Sequence, residues 1–106
     1  MKTYFKIVRD RIPEIIEQSG KTCEIERVSA DEALSGLEDK LMEEVREYLE
    51  SRDIEELSDI LEVIHAILRF RGISFEEVER IRLQKRAERG GFDKGIRLLQ
   101  VNEKGK

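Results

Sequence analysis

The sequence predicts an all-α protein, a helical bundle of three long helices and one short helix with short extended segments at its ends. Apolar residues recur at the three- and four-residue intervals of an α-helix over most of residues 29–90. Capping residues precede these periodic runs, and glycines follow two of them. Stretches that favour extended structure are short and lie outside the periodic region.

The first 28 residues predict one short helix between two extended stretches. Residues 2–8 are rich in β-favouring side chains. Asp10 is placed to cap a short helix whose first turn holds Pro13, where proline is tolerated, and Gly20 ends it. Residues 21–28 alternate loosely, which fits either a strand or an extended link.

Each long helix is predicted to begin at a polar residue followed three positions later by glutamate, the spacing of a capping box. These pairs are Ser29 with Glu32, Asp53 with Glu56, and Ser74 with Glu77. The predicted helices run from 29 to about 51, from 53 to about 71 with Gly72 as the stop, and from 74 to Gly90-Gly91. Residues 96–101 are a strand or a short extension.

Length and composition bound the class of protein. A chain of 106 residues without a composition break predicts one domain over 1–106. So short a chain buries a limited core, which favours a bundle completed by a second subunit. The net charge of −4 gives no indication of binding to nucleic acid polymers. With one cysteine, no long apolar run and no secretory signal, we expect a cytoplasmic protein that has no disulfide and does not contact a membrane.

Carboxylates gather on one flank of the predicted helix 29–51. At about 100° per residue, Glu43, Glu44 and Glu47 fall together, with Glu44 nearest the apolar face. Glutamates three or four positions apart destabilise a helix by about 0.2–0.5 kcal/mol per pair. Lys40 or a bound cation would relieve that repulsion.

The next predicted helix carries acids on its apolar side. Glu56 falls inside the apolar stripe and Asp59 at its edge, where a carboxylate is costly unless it is paired or bound to metal. The short link 51–53 favours a helix hairpin in which Glu44 and Glu47 face these two acids. Such an all-oxygen site suits Mg²⁺ or Mn²⁺ better than zinc, and it indicates metal-assisted transfer of a phosphoryl or nucleotidyl group to water.

Two ordinary explanations stay open. Charged residues make up 42 % of this chain, so an EExxE pattern is often only a solvated helix face. Glu56 also occupies the position of a capping glutamate, which accounts for it without a metal ion.

Several basic residues are candidates for phosphate contacts, with ordinary surface charge as the alternative. They are Lys6, Arg9, Arg11, Lys85 and Arg89. The Gly90-Gly91 pair is either a helix stop or a turn whose amides approach phosphate. His65 is predicted to be a surface or interface residue.

These motifs resemble the MazG-like, all-α nucleoside triphosphate pyrophosphohydrolase superfamily, whose mark is EExxE on one helix and ExxD on the next. Here residues 43–47 read EEVRE, and residues 56–63 read ELSDILEV. The opening KIVRDRIPEII of residues 6–16 and the closing KRAERGGF of residues 85–92 are similar to a small stand-alone branch. Eight residues separate Glu47 from Glu56, fewer than in larger members, which predicts a tighter turn.

The resemblance implies a homodimer or homotetramer that uses Mg²⁺ to cleave a nucleoside triphosphate between its α- and β-phosphates. The products would be nucleoside monophosphate and pyrophosphate, and the role would be the clearance of aberrant nucleotides or the adjustment of nucleotide pools. By position, the implied metal ligands are Glu44, Glu47, Glu56 and Asp59. Glu43 would support them, and one of these carboxylates, or hydroxide held by the metal, would activate the attacking water; Glu43 and Glu47 are the catalytic candidates.

Two other functions stay open at this point. A phosphoribosyl-ATP pyrophosphohydrolase shares the superfamily architecture and the bond that is cleaved. A non-catalytic module, either a helical dimer that binds a protein partner or a sensor that binds nucleotide without cleaving it, would not need the metal or the reaction.

Overall fold

The computed structural model describes residues 5–105, and over this range the chain is helical without any strand. The helices are α1 (Ile12–Gln18), α2 (Ala30–Ser51), α3 (Ile54–Arg71) and α4 (Phe75–Arg89). The predicted three long helices and one short helix are confirmed. Residues 21–29 and 96–105 are irregular links rather than strands. Part of the predicted extended stretch 2–8 lies outside the described residues.

The start of α1 differs from the prediction. Arg11, not Asp10, holds the N-cap position, and its side chain makes no capping hydrogen bond within the described range. The N–H of Ile12 instead donates to the carbonyl of Arg9 at 3.0 Å. This backbone turn satisfies the first amide of the helix, which leaves Asp10 without a capping role.

Side-chain caps fix the starts of α2 and α3 as predicted. Ser29 Oγ accepts from the Glu32 N–H at 3.2 Å and donates to Glu32 Oε1 at 3.1 Å. Asp53 Oδ1 accepts from the Glu55 N–H at 3.0 Å. Gly72, in the left-handed conformation with φ 69°, ends α3 at the predicted stop.

A two-residue link folds α2 and α3 into the predicted hairpin. Arg52 adopts a left-handed conformation with φ 59°, and its N–H donates to the Tyr48 carbonyl at 2.7 Å. Asp53 follows at once and caps α3. Because the link has no further residues, it fixes which faces of the two helices meet.

The apolar core of the hairpin is small. Among residues 5–105, the buried apolar residues are Ala33, Leu37, Val63 and Leu68. Much of each predicted apolar stripe stays exposed, including Val45 and Leu49 on α2 and Leu57 and Leu61 on α3. Met42 on α2 is exposed as well. Each of the two packed helices buries only the side that faces the other helix. The remaining apolar side chains of each stripe are therefore left exposed by the described residues.

The chain divides into two compact units, one ending at Phe75 and the other beginning at Glu76. The first holds α1, α2 and α3. The second holds most of α4, which ends at the predicted Gly90, and the irregular segment after it. The single domain over 1–106 stays a prediction. None of the helices within residues 5–105 combines the length and the apolar character needed to cross a bilayer.

Candidate metal centre

Three carboxylates from α2 and α3 converge within the hairpin. Glu44, Glu56 and Asp59 each offer one oxygen, and these oxygens lie within 4.8 Å of one another. Glu56 and Asp59 are one helical turn apart, so their side chains leave α3 on the same side. The short link brings Glu44 of α2 opposite them. We call these three residues the carboxylate cluster.

Glu44 is the one buried charged or polar residue between residues 5 and 105, with 6 % of its surface exposed. Its Oε1 lies 3.6 Å from Lys40 Nζ. Its Oε2 is shielded from solvent and has no hydrogen-bond partner among the described residues; we call it the orphan oxygen. Burying such an oxygen without a partner costs about 1–3 kcal/mol, or more when it is charged. A cation beside it would remove that cost.

Burial and mutual repulsion raise the pKa of two members of the cluster. For Glu44, desolvation is the main cause, the neighbouring carboxylate of Glu47 adds to it, and the charge of Lys40 opposes it. For Glu56, desolvation again comes first, followed by the charges of Glu47, Asp59 and Glu44. A divalent cation would have the opposite effect, because it favours the charged form of each carboxylate.

Glu47, predicted as a ligand and as a catalytic residue, lies beside the cluster. It is half-buried, and its nearby carboxylate raises the pKa of both Glu44 and Glu56. The oxygens that converge within 4.8 Å are those of the other three acids. Glu47 therefore acts electrostatically on two cluster members, one on each helix, from the next turn of α2.

Glu43, the second catalytic candidate, is held by lysines. Its Oε1 accepts from Lys6 Nζ at 3.2 Å, and its Oε2 lies 3.9 Å from Lys40 Nζ. Lys40 also contacts Glu44, so it relieves the repulsion between neighbouring glutamates of α2 in the way the sequence indicates.

The predicted phosphate-binding residues fall into separate places. Arg9 Nη2 donates to Asp59 Oδ1 at 2.7 Å, and Lys6 contacts Glu43, so both reach the acids of the hairpin. Arg11 instead pairs with Glu14, three positions along the chain, at 3.1 Å.

The candidates near the end of the chain belong to the second unit. Lys85 and Arg89 are exposed on α4, and Arg89 borders a hollow formed with residues 90–96. His65, in the first unit, is half-buried and stacks on Phe75 with ring centroids 4.2 Å apart. This packing accounts for His65 without a catalytic role.

The capping explanation of Glu56 does not hold in the structure. A capping glutamate would accept the N–H of Asp53, but that N–H donates to Ser51 Oγ at 3.1 Å. The side chain of Glu56 belongs to the carboxylate cluster instead.

One contact near the site was not predicted. A side-chain carbon added at Gly36 would overlap Cγ1 of Ile7, so the segment before α1 packs directly on the backbone of α2. Glycine inside a helix is about 1 kcal/mol less favourable than alanine. A glycine inside the periodic run of α2 could therefore have indicated that another segment packs against the backbone of the helix there.

Comparison with known proteins gives one short match. An uncharacterized protein of Mycolicibacterium smegmatis is 52 % identical over 42 residues, which cover 40 % of this chain and 43 % of that relative. The chain thus matches less than half the length of this relative. No protein-family model and no solved structure matches the chain.

Proposed function

We propose that this protein is a Mg²⁺-dependent nucleoside triphosphate pyrophosphohydrolase of the MazG-like class. The orphan oxygen of Glu44 carries the proposal, because it is a buried carboxylate oxygen, within a cluster of three acids, that lacks a donor from the described residues. Protein interiors seldom retain such a group unless it has a use. The motif resemblance supports the same class of enzyme.

The residues present fit a hard divalent cation. Glu44, Glu56 and Asp59 would hold it through oxygen ligands, with Glu47 near enough to join them. Mg²⁺ prefers such ligands and commonly binds substrate phosphates at the same time, and Mn²⁺ accepts a similar set. When bound, the ion would supply electrostatic stabilisation to the phosphates during cleavage.

Glu47 is the favoured acceptor of the proton from the attacking water. It adjoins two cluster members, whereas Glu43 is already held by Lys6 and lies near Lys40. Glu43 thus takes the supporting role. The water oxygen adds to the α-phosphorus, the bond from that phosphorus to the α,β-bridging oxygen breaks, and pyrophosphate leaves.

Lys6 and Arg9 are the favoured phosphate contacts, because both already contact acids of the hairpin. Arg11 is a weaker candidate, since its guanidinium pairs with Glu14. Lys85 and Arg89 remain candidates from the second unit. The reaction would take place in the cytoplasm, where its triphosphate substrates are used.

The active form is proposed to be a homodimer or a higher homo-oligomer such as a tetramer. The buried apolar core of the described residues consists of four side chains, which is little for a stable helical unit. Leu41, Met42, Val45 and Leu49 form a continuous apolar face on α2. A second copy of the hairpin would cover this face and complete a four-helix arrangement.

The direct test is the release of pyrophosphate from a panel of natural and modified nucleoside triphosphates, with and without Mg²⁺. We expect metal-dependent release by the wild-type protein and a loss of about a hundred- to a thousandfold in Glu44→Gln. Glu50→Gln is the matched control, because Glu50 is an exposed glutamate on the same helix; it should keep wild-type activity.

Other results would point to the alternatives. Release only from phosphoribosyl-ATP, included in the same panel, would identify the related pyrophosphohydrolase. If nothing is cleaved and Mg²⁺ leaves the melting temperature unchanged with or without nucleotide, the protein is a non-catalytic helical module.

A further inference from the structure

The segment that precedes α1 lies across the helix hairpin. Lys6 Nζ donates to Glu43 Oε1 at 3.2 Å. The side chain of Ile7 packs on the backbone of α2 at Gly36 so closely that no larger residue fits there without displacing it. We call residues 6–9 the N-terminal strap. These two contacts attach its first half to α2.

The other end of the strap reaches the carboxylate cluster. Arg9 Nη2 donates to Asp59 Oδ1 at 2.7 Å, so a cluster oxygen already has a protein cation as its partner. The two side chains are 56 % and 38 % exposed. A pair this accessible to solvent is weak and exchanges readily. The guanidinium can therefore leave Asp59 while Ile7 keeps the strap in place.

We propose that Arg9 competes with the divalent cation for Asp59 and turns to the substrate phosphates when the metal–nucleotide complex binds. This inference rests on the proposed function. Two cations that share one carboxylate repel each other, so the metal and Arg9 oppose each other on Asp59. A triphosphate removes this conflict, because a guanidinium fits phosphate oxygens through two parallel hydrogen bonds. The strap thereby favours binding of the metal together with nucleotide over binding of the metal alone.

The first experiment measures metal binding without nucleotide. Mn²⁺ is titrated calorimetrically into the wild-type protein and into Arg9→Gln. We expect Arg9→Gln to bind Mn²⁺ about two- to fivefold more tightly, the range set by a pair as exposed as this one. Arg69→Gln is the matched control, because it removes the same charge from a similarly exposed ion pair, the one that Arg69 forms with Glu62 on α3; it should leave the affinity at the wild-type value.

The second experiment measures nucleotide binding in saturating Mg²⁺. The probes are the α,β-methylene analogues of the four common ribonucleoside triphosphates, which lack the oxygen bridge that would be cleaved. We expect Arg9→Gln to weaken the best-binding analogue by about tenfold or more. Arg9→Lys keeps the charge but not the planar guanidinium that makes two parallel hydrogen bonds. This variant should bind Mn²⁺ like wild type and lose part of the nucleotide affinity.

The proposal requires that Arg9→Gln strengthen the binding of Mn²⁺ alone and weaken the binding of nucleotide. Weaker or unchanged Mn²⁺ binding by Arg9→Gln, or a change equal to that of Arg69→Gln, would overturn it while the proposed metal site stands. If no analogue binds the wild-type protein, the phosphate half is overturned. If the wild-type protein binds no Mn²⁺ at all, both this inference and the proposed metal site fail.

Discussion

The two flanks of α2 reverse the usual distribution of charged and apolar side chains. On the flank that faces α3, Glu44 is 6 % exposed, whereas on the outer flank Met42 is 63 % and Leu49 is 55 % exposed. A buried charge lowers the stability of an isolated hairpin, and apolar residues that stay exposed add nothing to it. A bound cation would relieve the burial of Glu44 on the inner flank, and a second copy of the chain would cover the outer flank, as the proposed function requires.

The largest expected effect comes from comparing leucines on the two flanks. Leu37 is buried, so Leu37→Ala should lower the free energy of unfolding by about 2–4 kcal/mol in a denaturant titration. Leu49→Glu should leave the helices formed in circular dichroism but shift the mass measured by light scattering from oligomer to monomer. An unchanged mass in this variant would contradict assembly through the outer flank of α2.

The pH dependence of stability should show the effect of burying Glu44 on the flank that faces α3. The native pKa of Glu44 is raised by burial and by Glu47, so the native state binds the proton more tightly than the unfolded state does. Metal-free wild-type protein should therefore gain stability relative to Glu44→Gln as the pH falls from neutral toward the ordinary pKa of a glutamate. Thermal melts across this range measure the difference.

The control for that experiment is Glu50→Gln, which should follow the wild-type pH dependence because Glu50 is exposed. Saturating Mg²⁺ should abolish or reverse the wild-type gain, since the metal needs the charged carboxylates. Parallel curves for wild type and Glu44→Gln would argue that burial does not disfavour the charged form of Glu44.

A smaller effect tests how tightly the N-terminal strap packs on α2. Alanine is favoured over glycine inside a helix by about 1 kcal/mol, but a side chain at Gly36 meets Ile7. Gly36→Ala should therefore show no gain in the free energy of unfolding. In an Ile7→Ala background, the same substitution should recover about 1 kcal/mol. A full gain in the wild-type background would show that Ile7 does not pack there.

Local signals predicted the helices well because caps and stops act within a few residues. Ser29, Asp53 and Gly72 lie where the sequence placed them. The spacing also predicted that Glu44, Glu56 and Asp59 would meet, since a short link between two periodic helices leaves few ways to pack them. The prediction that Asp10 caps α1 was wrong, because a backbone turn satisfies the first amide of the helix without a side-chain cap.

Other features could not be predicted from periodicity. A periodic stripe shows which side of a helix is apolar but not whether another element packs on it. The exposure of Leu49 and Leu61 therefore could not be predicted. The contact of Arg9 with Asp59 joins residues far apart in the chain and depends on how the strap crosses the hairpin. The lateral position of Glu47 likewise depends on the exact rotation of α2 about its axis.

The two-residue link at Arg52 has a consequence for sequence change in this protein. With Arg52 already in a left-handed conformation and Asp53 capping the next helix, the link has no slack in which to absorb an insertion. One residue added inside either helix between Glu44 and Glu56 would rotate one acid away from the other by about 100°. The number of residues between these two glutamates is thus as important to the carboxylate cluster as the glutamates themselves, and length variants in this interval should be far rarer than substitutions.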